Sequence, residues 1–167
     1  MHHTQISTPI GQLTLVASAT ALTNIFFADD PLLMRTASLR EQTMRGPASI
    51  HLETPILRDT AQQLHEYFAG TRQHFTIPLG PHGTDFLKQT WHTMTQQVPF
   101  GKAITYGALA DLVGKPRAAR AIGMANNRNP IPIIIPCHRV VGANGNLTGF
   151  RGGLGIKQWL LNHESSR

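Results

Sequence analysis

Hydrophobic and polar positions alternate near the start of the chain, which is the pattern of strands with one buried face. Leu13, Leu15 and Ala17 alternate with polar neighbours after a turn at 9–11 that contains Pro and Gly. Residues 4–27 therefore predict three β-strands, the third ending at Phe27. One further short strand is predicted over 74–77.

Helical spacing replaces this alternation in most of the remaining chain. Helices are predicted over 32–44 and over 54–68, the second closed by Gly70. Thr84 is suited to cap a third helix, whose apolar positions are Leu87, Trp91, Met94 and Val98. A last amphipathic helix is predicted from the apolar positions Ile156, Trp159 and Leu160, with His163 and Glu164 near its end.

Two short helices in the second half are joined by a tight turn. The first is predicted over 104–113, the turn at Gly114–Pro116 and the second helix over 117–126. This is the shape of a helix-turn-helix motif. The second helix is rich in Ala and Gly and carries arginines, so it predicts a thin basic helix able to approach nucleic acid closely. Close packing of its small residues against a neighbouring helix is the alternative interpretation.

These elements predict an α/β (α+β) chain of two domains. A small β-sheet with helices is expected over 1–77, and residues 78–83, with two Pro and two Gly, are expected to be the linker. The mostly helical second domain is expected over 84–167. Residues 142–146, which tolerate a positive φ, predict a hairpin turn within it.

Charge is distributed unequally between the two halves. Residues 1–83 hold five basic and six acidic residues, a balance of −1, whereas residues 84–167 hold ten basic and three acidic residues, a balance of +7. A one-sided positive charge indicates a polyanionic partner, with nucleic acid as the first candidate. A basic face that serves only solubility is the alternative.

Composition excludes several classes of protein. Hydrophobic residues make up 41% of the chain, which is enough for a core, and no apolar run is long enough to cross a bilayer. The single cysteine allows no internal disulfide and indicates a reducing compartment, so we expect a cytoplasmic protein. The histidines show no paired metal-ligand spacing, so no metal site is expected.

The only cysteine lies in the stretch Pro136-Cys137-His138-Arg139-Val140, after an apolar run punctuated by prolines. A lone cysteine is most often a small buried hydrophobic residue. The adjacent imidazole and guanidinium favour a nucleophile instead, because a base or a positive charge shifts a thiol toward the reactive thiolate. In a strand Cys137 and His138 would point to opposite faces, so we expect a bend there or an intervening water.

This stretch resembles the signature of the O6-alkylguanine-DNA alkyltransferases, the methylated-DNA–protein-cysteine methyltransferases. The resemblance covers roughly residues 84–164 in the expected order. It extends through Asn129-Pro130, Tyr106-Gly107, Ala119-Arg120-Ala121, Ala125-Asn126, the loop 149–153 and the tail 159–164. The first half is similar to the family's RNase-H-like domain in size and pattern.

The resemblance implies direct, stoichiometric DNA repair without a cofactor. Cys137 would accept the alkyl group from O6-alkylguanine in double-stranded DNA, after the base has been flipped out of the stack. Action on O4-alkylthymine and cooperative binding along DNA are left open, and a monomer without membrane association is expected. His138 would act as base through a water, Glu164 would orient His138, and Tyr106 would protonate the base and rotate its phosphate.

The resemblance also assigns the DNA-binding and pocket residues. Arg120 would be the finger that fills the gap left by the flipped base, on a helix that enters the minor groove. The other DNA-binding residues it implies are Arg117, Ala118, Ala121, Gly123, Tyr106 and Arg128. The substrate pocket would include Val140, Phe150, Arg151 and Asn129, where Asn129 bonds the turn before the cysteine and the carbonyls of Cys137 and Val140 read the guanine amino group.

Two residues depart from the family pattern. Phe150 stands where many members carry Tyr, and Arg151 is bulky where a small residue is common. Arg151 is therefore expected to narrow the pocket and disfavour large alkyl groups. Two other functions are considered: a non-catalytic binder of damaged DNA, which would not need the thiol, and a cysteine hydrolase with Cys137 and His138 as its dyad, which would turn over.

Overall fold

The computed structural model describes residues 1–35 and 54–166, which fall into two compact units, 1–81 and 82–167. The first unit contains an antiparallel sheet in the order β1 (His2–Thr8), β2 (Gly11–Ala17) and β3 (Leu22–Phe27). A short helix α1 (Pro31–Arg35) follows, and α2 (Pro55–Phe68) packs against all three strands. Together with a mostly helical second unit, this confirms the predicted mixed α/β fold.

The sheet is buried more completely than a one-faced alternation predicts. Every residue of β2 from Leu13 to Ala17 is buried, including Thr14. Val16 forms a second apolar cluster with Phe26 and Leu33, so both faces of this strand are covered. The predicted alternation therefore located β2 but missed the covering of its second face.

Two further expectations for the first unit need correction. Residues 74–77 form no strand, and instead Leu79 makes an isolated parallel bridge to Leu22, with the Leu22 amide donating to the Pro78 carbonyl at 2.9 Å. Residues 78–80 of the expected linker thus lie beside Leu22 at the start of β3. The helix expected over 32–44 is described only as far as Arg35, and its remainder lies outside the described residues.

The helices with clear capping signals begin where the sequence predicts. The Thr54 hydroxyl accepts from the Leu57 amide at the start of α2, and the Thr84 hydroxyl accepts from the Leu87 amide at the start of α3 (Asp85–Gln97). Each cap satisfies a backbone amide that has no partner within its helix. These caps confirm both predicted helix starts.

The second unit brings its short elements together around a two-residue parallel ladder. Strand β4 (Ile104–Thr105) leads directly into α4 (Tyr106–Leu112), and β5 (Val140–Val141) pairs with β4 so that Ile104 faces Val140. Because this pairing joins the start of α4 to the residues just after Cys137, it brings two distant parts of the sequence together.

The remaining helices complete the second unit. A turn with Gly114 at a φ of 77° joins α4 to α5 (Ala119–Asn127), and α6 (Leu154–Ser165) packs against the turn that holds Cys137. Helix α5 starts two residues later than predicted, so Arg117 lies in the preceding turn. Residues 142–146 do form a turn, but no hairpin, because the strand before it pairs with β4 instead.

No helix within the described ranges is long and apolar enough to cross a membrane.

Candidate active site

Cys137 lies at the start of a single 3-10 turn, Cys137–Arg139, within a stretch that is buried from Ile131 to Val141. The Cys137 amide donates to the Ile135 carbonyl at 2.8 Å, and the Arg139 amide donates to the Pro136 carbonyl at 3.0 Å. Successive side chains in a 3-10 turn are rotated by about 120°, so Cys137 and His138 do not alternate as they would in a strand. Cys137 itself is 5% exposed.

Asn129 holds the chain that leads into this turn. Its side-chain amide donates to the Ile135 carbonyl at 2.8 Å, and its carbonyl oxygen accepts from the Ile131 amide at 2.9 Å. Between these two bonds, Ile133 has a φ of 76°, a conformation that is unfavourable for a β-branched residue. The Asn129 bonds stabilise this strained backbone directly before Cys137.

His138 and Arg139 both bind the carboxylate of Glu164, which α6 carries into the interior. His138 Nε2 lies 2.7 Å from Glu164 Oε1, and Arg139 donates from Nε to Oε2 at 2.8 Å and from Nη2 to Oε1 at 3.0 Å. Arg139 also donates from Nη1 to the Val98 carbonyl at 2.7 Å. All three side chains are buried, so this is an enclosed ionic cluster, which we call the His138–Arg139–Glu164 cluster.

The cluster fixes the protonation states of its members. Burial alone would raise the pKa of Glu164, but the hydrogen bonds from His138 and Arg139 and the positive charge of Arg139 hold that pKa well below its usual range. Burial lowers the pKa of His138 and outweighs the opposing effect of Glu164. His138 is therefore neutral, and because an ionised carboxylate can only accept, the Nε2 of His138 donates to Glu164.

This tautomer leaves the lone pair of His138 on Nδ1. In the described part of the chain, His138 Nδ1 is buried and has no hydrogen-bond partner. A neutral imidazole with a free lone pair is a base, and its orientation is fixed by the carboxylate behind it. The arrangement can thus accept a proton close to Cys137.

The thiol of Cys137 is protonated at rest. Burial raises the pKa of Cys137, while a hydrogen bond with Asn129 and the charges of Arg151 and Lys157 act in the opposite direction. A buried thiol with a raised pKa reacts slowly until a base removes its proton. The three opposing groups stabilise the thiolate once it forms.

Lys157 is a site residue that the sequence reasoning missed. It is fully buried, and its Nζ donates to the Val140 carbonyl at 2.6 Å and to the Thr148 carbonyl at 3.0 Å. Burial lowers the pKa of Lys157, and the nearby Cys137 partly offsets this. The feature of the sequence that could have identified Lys157 is its spacing. Lys157, Leu160 and Glu164 lie three and four residues apart and share the buried face of α6.

The carbonyls expected to read guanine already accept one hydrogen bond each. The Cys137 carbonyl accepts from the Val140 amide, and the Val140 carbonyl accepts from Lys157. A carbonyl oxygen has two lone pairs, so each can accept a second bond from a ligand.

Tyr106 is the first residue of α4, whose start is capped by the hydroxyl of Thr105 accepting from the Ala108 amide at 3.1 Å. Its ring lies beside α5, since a Cβ placed on Gly123 would be 3.8 Å from Tyr106 Cε1. Its hydroxyl accepts from Thr148 Oγ1 at 3.0 Å. In the parallel pairing of β4 and β5, Thr105, the residue before this tyrosine, lies opposite Val141.

Helix α5 is anchored by Trp91, whose Nε1 donates to the Ala125 carbonyl at 2.9 Å. Arg120 in its first turn and Arg128 directly after it are exposed, as is Arg117 in the turn before it. Ala118 at the helix start, Ala121 and Gly123 are partly exposed. The exposed side of α5 is therefore basic and is built on small residues.

The loop 149–153 contributes Phe150 and Arg151, both half-buried. Nε and Nη1 of Arg151 are enclosed, and the guanidinium lies close enough to Cys137 to act on its pKa. The structure thus brings Cys137, His138, Glu164, Asn129 and Arg151 into one neighbourhood, with the arginines on and beside α5 on an exposed surface. No group of three or more potential metal ligands occurs among the described residues.

Two family models together match nearly the whole chain. Residues 1–81 match the ribonuclease-like domain of 6-O-methylguanine DNA methyltransferase, and residues 85–166 match its DNA-binding domain. Methylated-DNA–protein-cysteine methyltransferase of Methanosarcina acetivorans is 39% identical over 166 residues, covering 99% of each chain. The constitutive enzyme of that name from Bacillus subtilis is 38% identical, over 98% of this chain and 94% of the relative.

Solved structures show the same similarity. The Mycobacterium tuberculosis OGT in complex with DNA superposes with a TM-score of 0.82 at 38% identity, over 99% of this chain and 94% of the other. The O6-methylguanine-DNA methyltransferase of Pyrococcus kodakaraensis superposes with a TM-score of 0.71 at 28% identity, over 98% and 99% of the two chains.

Proposed function

The chain belongs to the 6-O-methylguanine DNA methyltransferase family, and from that premise we propose that Cys137 is the residue to which it transfers the alkyl group. The protein is a methylated-DNA–protein-cysteine methyltransferase that repairs DNA directly. The observation that supports the assignment is the placement of the only cysteine beside a buried, carboxylate-oriented histidine.

The proposed reaction is an in-line displacement at the alkyl carbon. The thiol proton passes through a water to His138 Nδ1, the sulfur forms a C–S bond, and the bond from the alkyl carbon to O6 breaks. Guanine departs with the electron pair of that bond and takes a proton from Tyr106. The product is a thioether that this site does not hydrolyse, so each chain accepts one alkyl group.

Several groups support this sequence of proton transfers. Glu164 holds His138 in the tautomer that exposes Nδ1, and Arg139 keeps Glu164 ionised. Lys157 and Arg151 supply positive charge near the sulfur as it becomes anionic. The second lone pairs of the Cys137 and Val140 carbonyls are suited to accept from the exocyclic amino group of guanine.

For the DNA partner we propose a complex in which α5 enters the minor groove. Its small residues Ala121 and Gly123 permit close approach, and the exposed arginines on and beside it supply the charge that attracts phosphate. Arg120 would occupy the space of the flipped base, while Arg117 and Arg128 contact the backbone. We further propose a monomer that acts in the cytoplasm, where a reducing environment preserves a free thiol.

The test is the intact mass of the full-length chain after incubation with duplex DNA that carries one O6-methylguanine. We expect replacement of one hydrogen by one methyl group, mapped to Cys137 and saturating at one per chain, with no change on undamaged duplex. Tight binding to the lesion without a mass change would favour a damage binder. Repeated turnover without a retained adduct would favour hydrolase chemistry.

A further inference from the structure

Thr148 joins the proposed proton donor to the site through both its side chain and its backbone. Its hydroxyl donates to the hydroxyl oxygen of Tyr106 at 3.0 Å, and the Tyr106 hydroxyl lies 3.4 Å from the Thr148 carbonyl. The same carbonyl accepts from Lys157 Nζ at 3.0 Å. Lys157 in turn binds the Val140 carbonyl, so Tyr106 is connected to the cysteine turn through Thr148.

The two contacts with Tyr106 differ in quality. A distance of 3.0 Å is within the normal range for a bond between two hydroxyl groups, whereas 3.4 Å is long for one. The bond that Tyr106 accepts is therefore the better formed of the two, and the hydrogen that Tyr106 donates is held more weakly. A guanine entering the pocket can take over that hydrogen while Thr148 keeps its bond to the phenolic oxygen.

We propose that Thr148 is a positioning residue for alkyl transfer, which acts by donating a hydrogen bond to the phenolic oxygen of Tyr106. When Tyr106 gives its proton to departing guanine, negative charge develops on that oxygen. A donor already aimed at it stabilises the charge without having to reorient. After guanine has left with the proton, solvent returns a proton to Tyr106 and removes the thiol proton from His138, so that protons balance.

The geometry argues against a merely structural role for the Thr148 hydroxyl. Thr148 is exposed, and among the described residues the only side-chain partner of its hydroxyl is Tyr106. Tyr106 also lies beside Gly123 of α5, where an added Cβ would be 3.8 Å from its ring. Lys157 holds the backbone of Thr148 through the carbonyl, so a change of the Thr148 side chain leaves that anchor in place.

The inference rests on the proposed function and is tested by single-turnover kinetics of the full-length chain on duplex DNA with one O6-methylguanine. The rate constant at saturating DNA and the DNA concentration for half-saturation are measured for T148V, T148S and T148A. We expect T148V and T148A to lower the saturating rate about tenfold, as for loss of a bond to a charged oxygen. Half-saturation should be unchanged, and T148S should restore the rate to within about twofold.

A double mutant separates this role from others. If Thr148 acts through Tyr106, T148V should have little further effect on a chain that already carries Y106F. A matched control is T95V, because the exposed Thr95 bonds, among the residues that the structure describes, only the Trp91 carbonyl of its own helix. T95V should transfer at the unaltered rate.

Three results would overturn the inference while leaving the proposed function intact. These are an unaltered rate in T148V and T148A, a failure of T148S to restore the rate, and losses from T148V and Y106F that multiply. If the unaltered chain takes up no methyl group at all, the proposed function itself fails.

Discussion

Arginine has two opposite uses in the second unit. Arg139 is buried, and its guanidinium makes three hydrogen bonds that hold Glu164 and the Val98 carbonyl. Arg120 on α5 is exposed to solvent. Removing a charge from water is costly and is tolerated only when every partner is in place, so Arg139 is fixed. An exposed arginine keeps its hydration and remains available to phosphate.

The contrast between buried and exposed arginines shows that the second unit uses positive charge for two different purposes. The His138–Arg139–Glu164 cluster sets protonation states and orientation, which chemistry needs. The exposed arginines on and around α5 are proposed to attract DNA, an interaction that tolerates motion. Changes to the cluster should therefore affect transfer and folding, whereas changes to the exposed arginines should affect DNA engagement.

The largest expected effect is that of C137S. It should reduce methyl transfer to background, because a hydroxyl is a far weaker nucleophile than a thiolate. Binding to duplex DNA, measured by fluorescence anisotropy, should remain close to that of the unaltered chain, since the exposed arginines are untouched. Transfer at a normal rate by C137S would contradict the assignment of the acceptor.

E164A should separate folding from DNA attraction. It leaves Arg139 buried without its carboxylate, and breaking a buried pair in this way costs about 3–5 kcal/mol of unfolding free energy. Urea denaturation at neutral pH measures the loss. The control D111A removes an exposed carboxylate of α4 and should change stability by less than about 0.5 kcal/mol. Equal stability of E164A and D111A would show that the cluster does not support the fold.

R120A should reveal a defect specific to duplex DNA. We expect transfer from duplex to slow about tenfold or more, because base flipping costs a few kcal/mol and the proposed finger supports the flipped state. Reaction with free O6-methylguanine base should stay within about twofold, since it needs no flipping. R128A, at the other end of α5, is the control and should weaken binding without slowing transfer at saturation. Equal losses on both substrates would argue against a finger.

Acid should act on the buried His138–Arg139–Glu164 cluster, and salt should act on the exposed arginines. The pKa of His138 is lowered by burial, so below about pH 6.5 the unfolded chain binds a proton that the folded chain does not. The contribution of His138 to the free energy of unfolding is therefore complete above that pH and is lost as pH falls. The lowered pKa of Glu164 acts in the same direction, its contribution fading as pH falls below about 4.5.

The urea midpoint should therefore decrease from about pH 8 to about pH 5, with the same slope in R120A. Added salt should weaken DNA binding through recapture of counterions and leave the urea midpoint nearly constant. A DNA affinity that does not change with salt would mean that the exposed arginines are not the binding surface.

The smallest expected effect concerns Arg151, which brings a half-buried guanidinium close to the thiol. Replacement by serine should raise transfer from benzylguanine relative to methylguanine roughly three- to tenfold, because it widens the pocket. The ratio of the two rates cancels any common effect on the thiol. Comparable rates for both substrates in the unaltered chain would contradict a narrowing role.

Local signals in the sequence were sufficient for elements whose ends are set by neighbouring residues. Thr84 marked a helix start as its predicted cap, because a cap and its target amide lie three residues apart. The predicted strand over 74–77 was wrong, since pairing at Leu79 depends on a partner far away in the sequence. Apolar periodicity placed Trp159 on the buried face of α6, where Lys157 lies instead.

In the site, too, contacts between distant parts of the sequence could not be predicted from local signals. The neighbours Cys137 and His138 drew attention by their chemistry, and the resemblance pointed to Glu164. The bidentate bond from Arg139 to Glu164 spans 25 residues and follows from the packing of α6 against the cysteine turn. The contacts of Thr148 with Tyr106 span 42 residues and likewise leave no local trace in the sequence.

The enclosure of Cys137 also determines how long each molecule remains usable. Dissolved peroxides and electrophiles attack thiolates, and here the thiol is 5% exposed with its pKa raised by burial. Such reagents therefore inactivate the protein slowly in the period before it meets a lesion. A reserve of single-use molecules can then accumulate in the cell and still be intact when a lesion arrives.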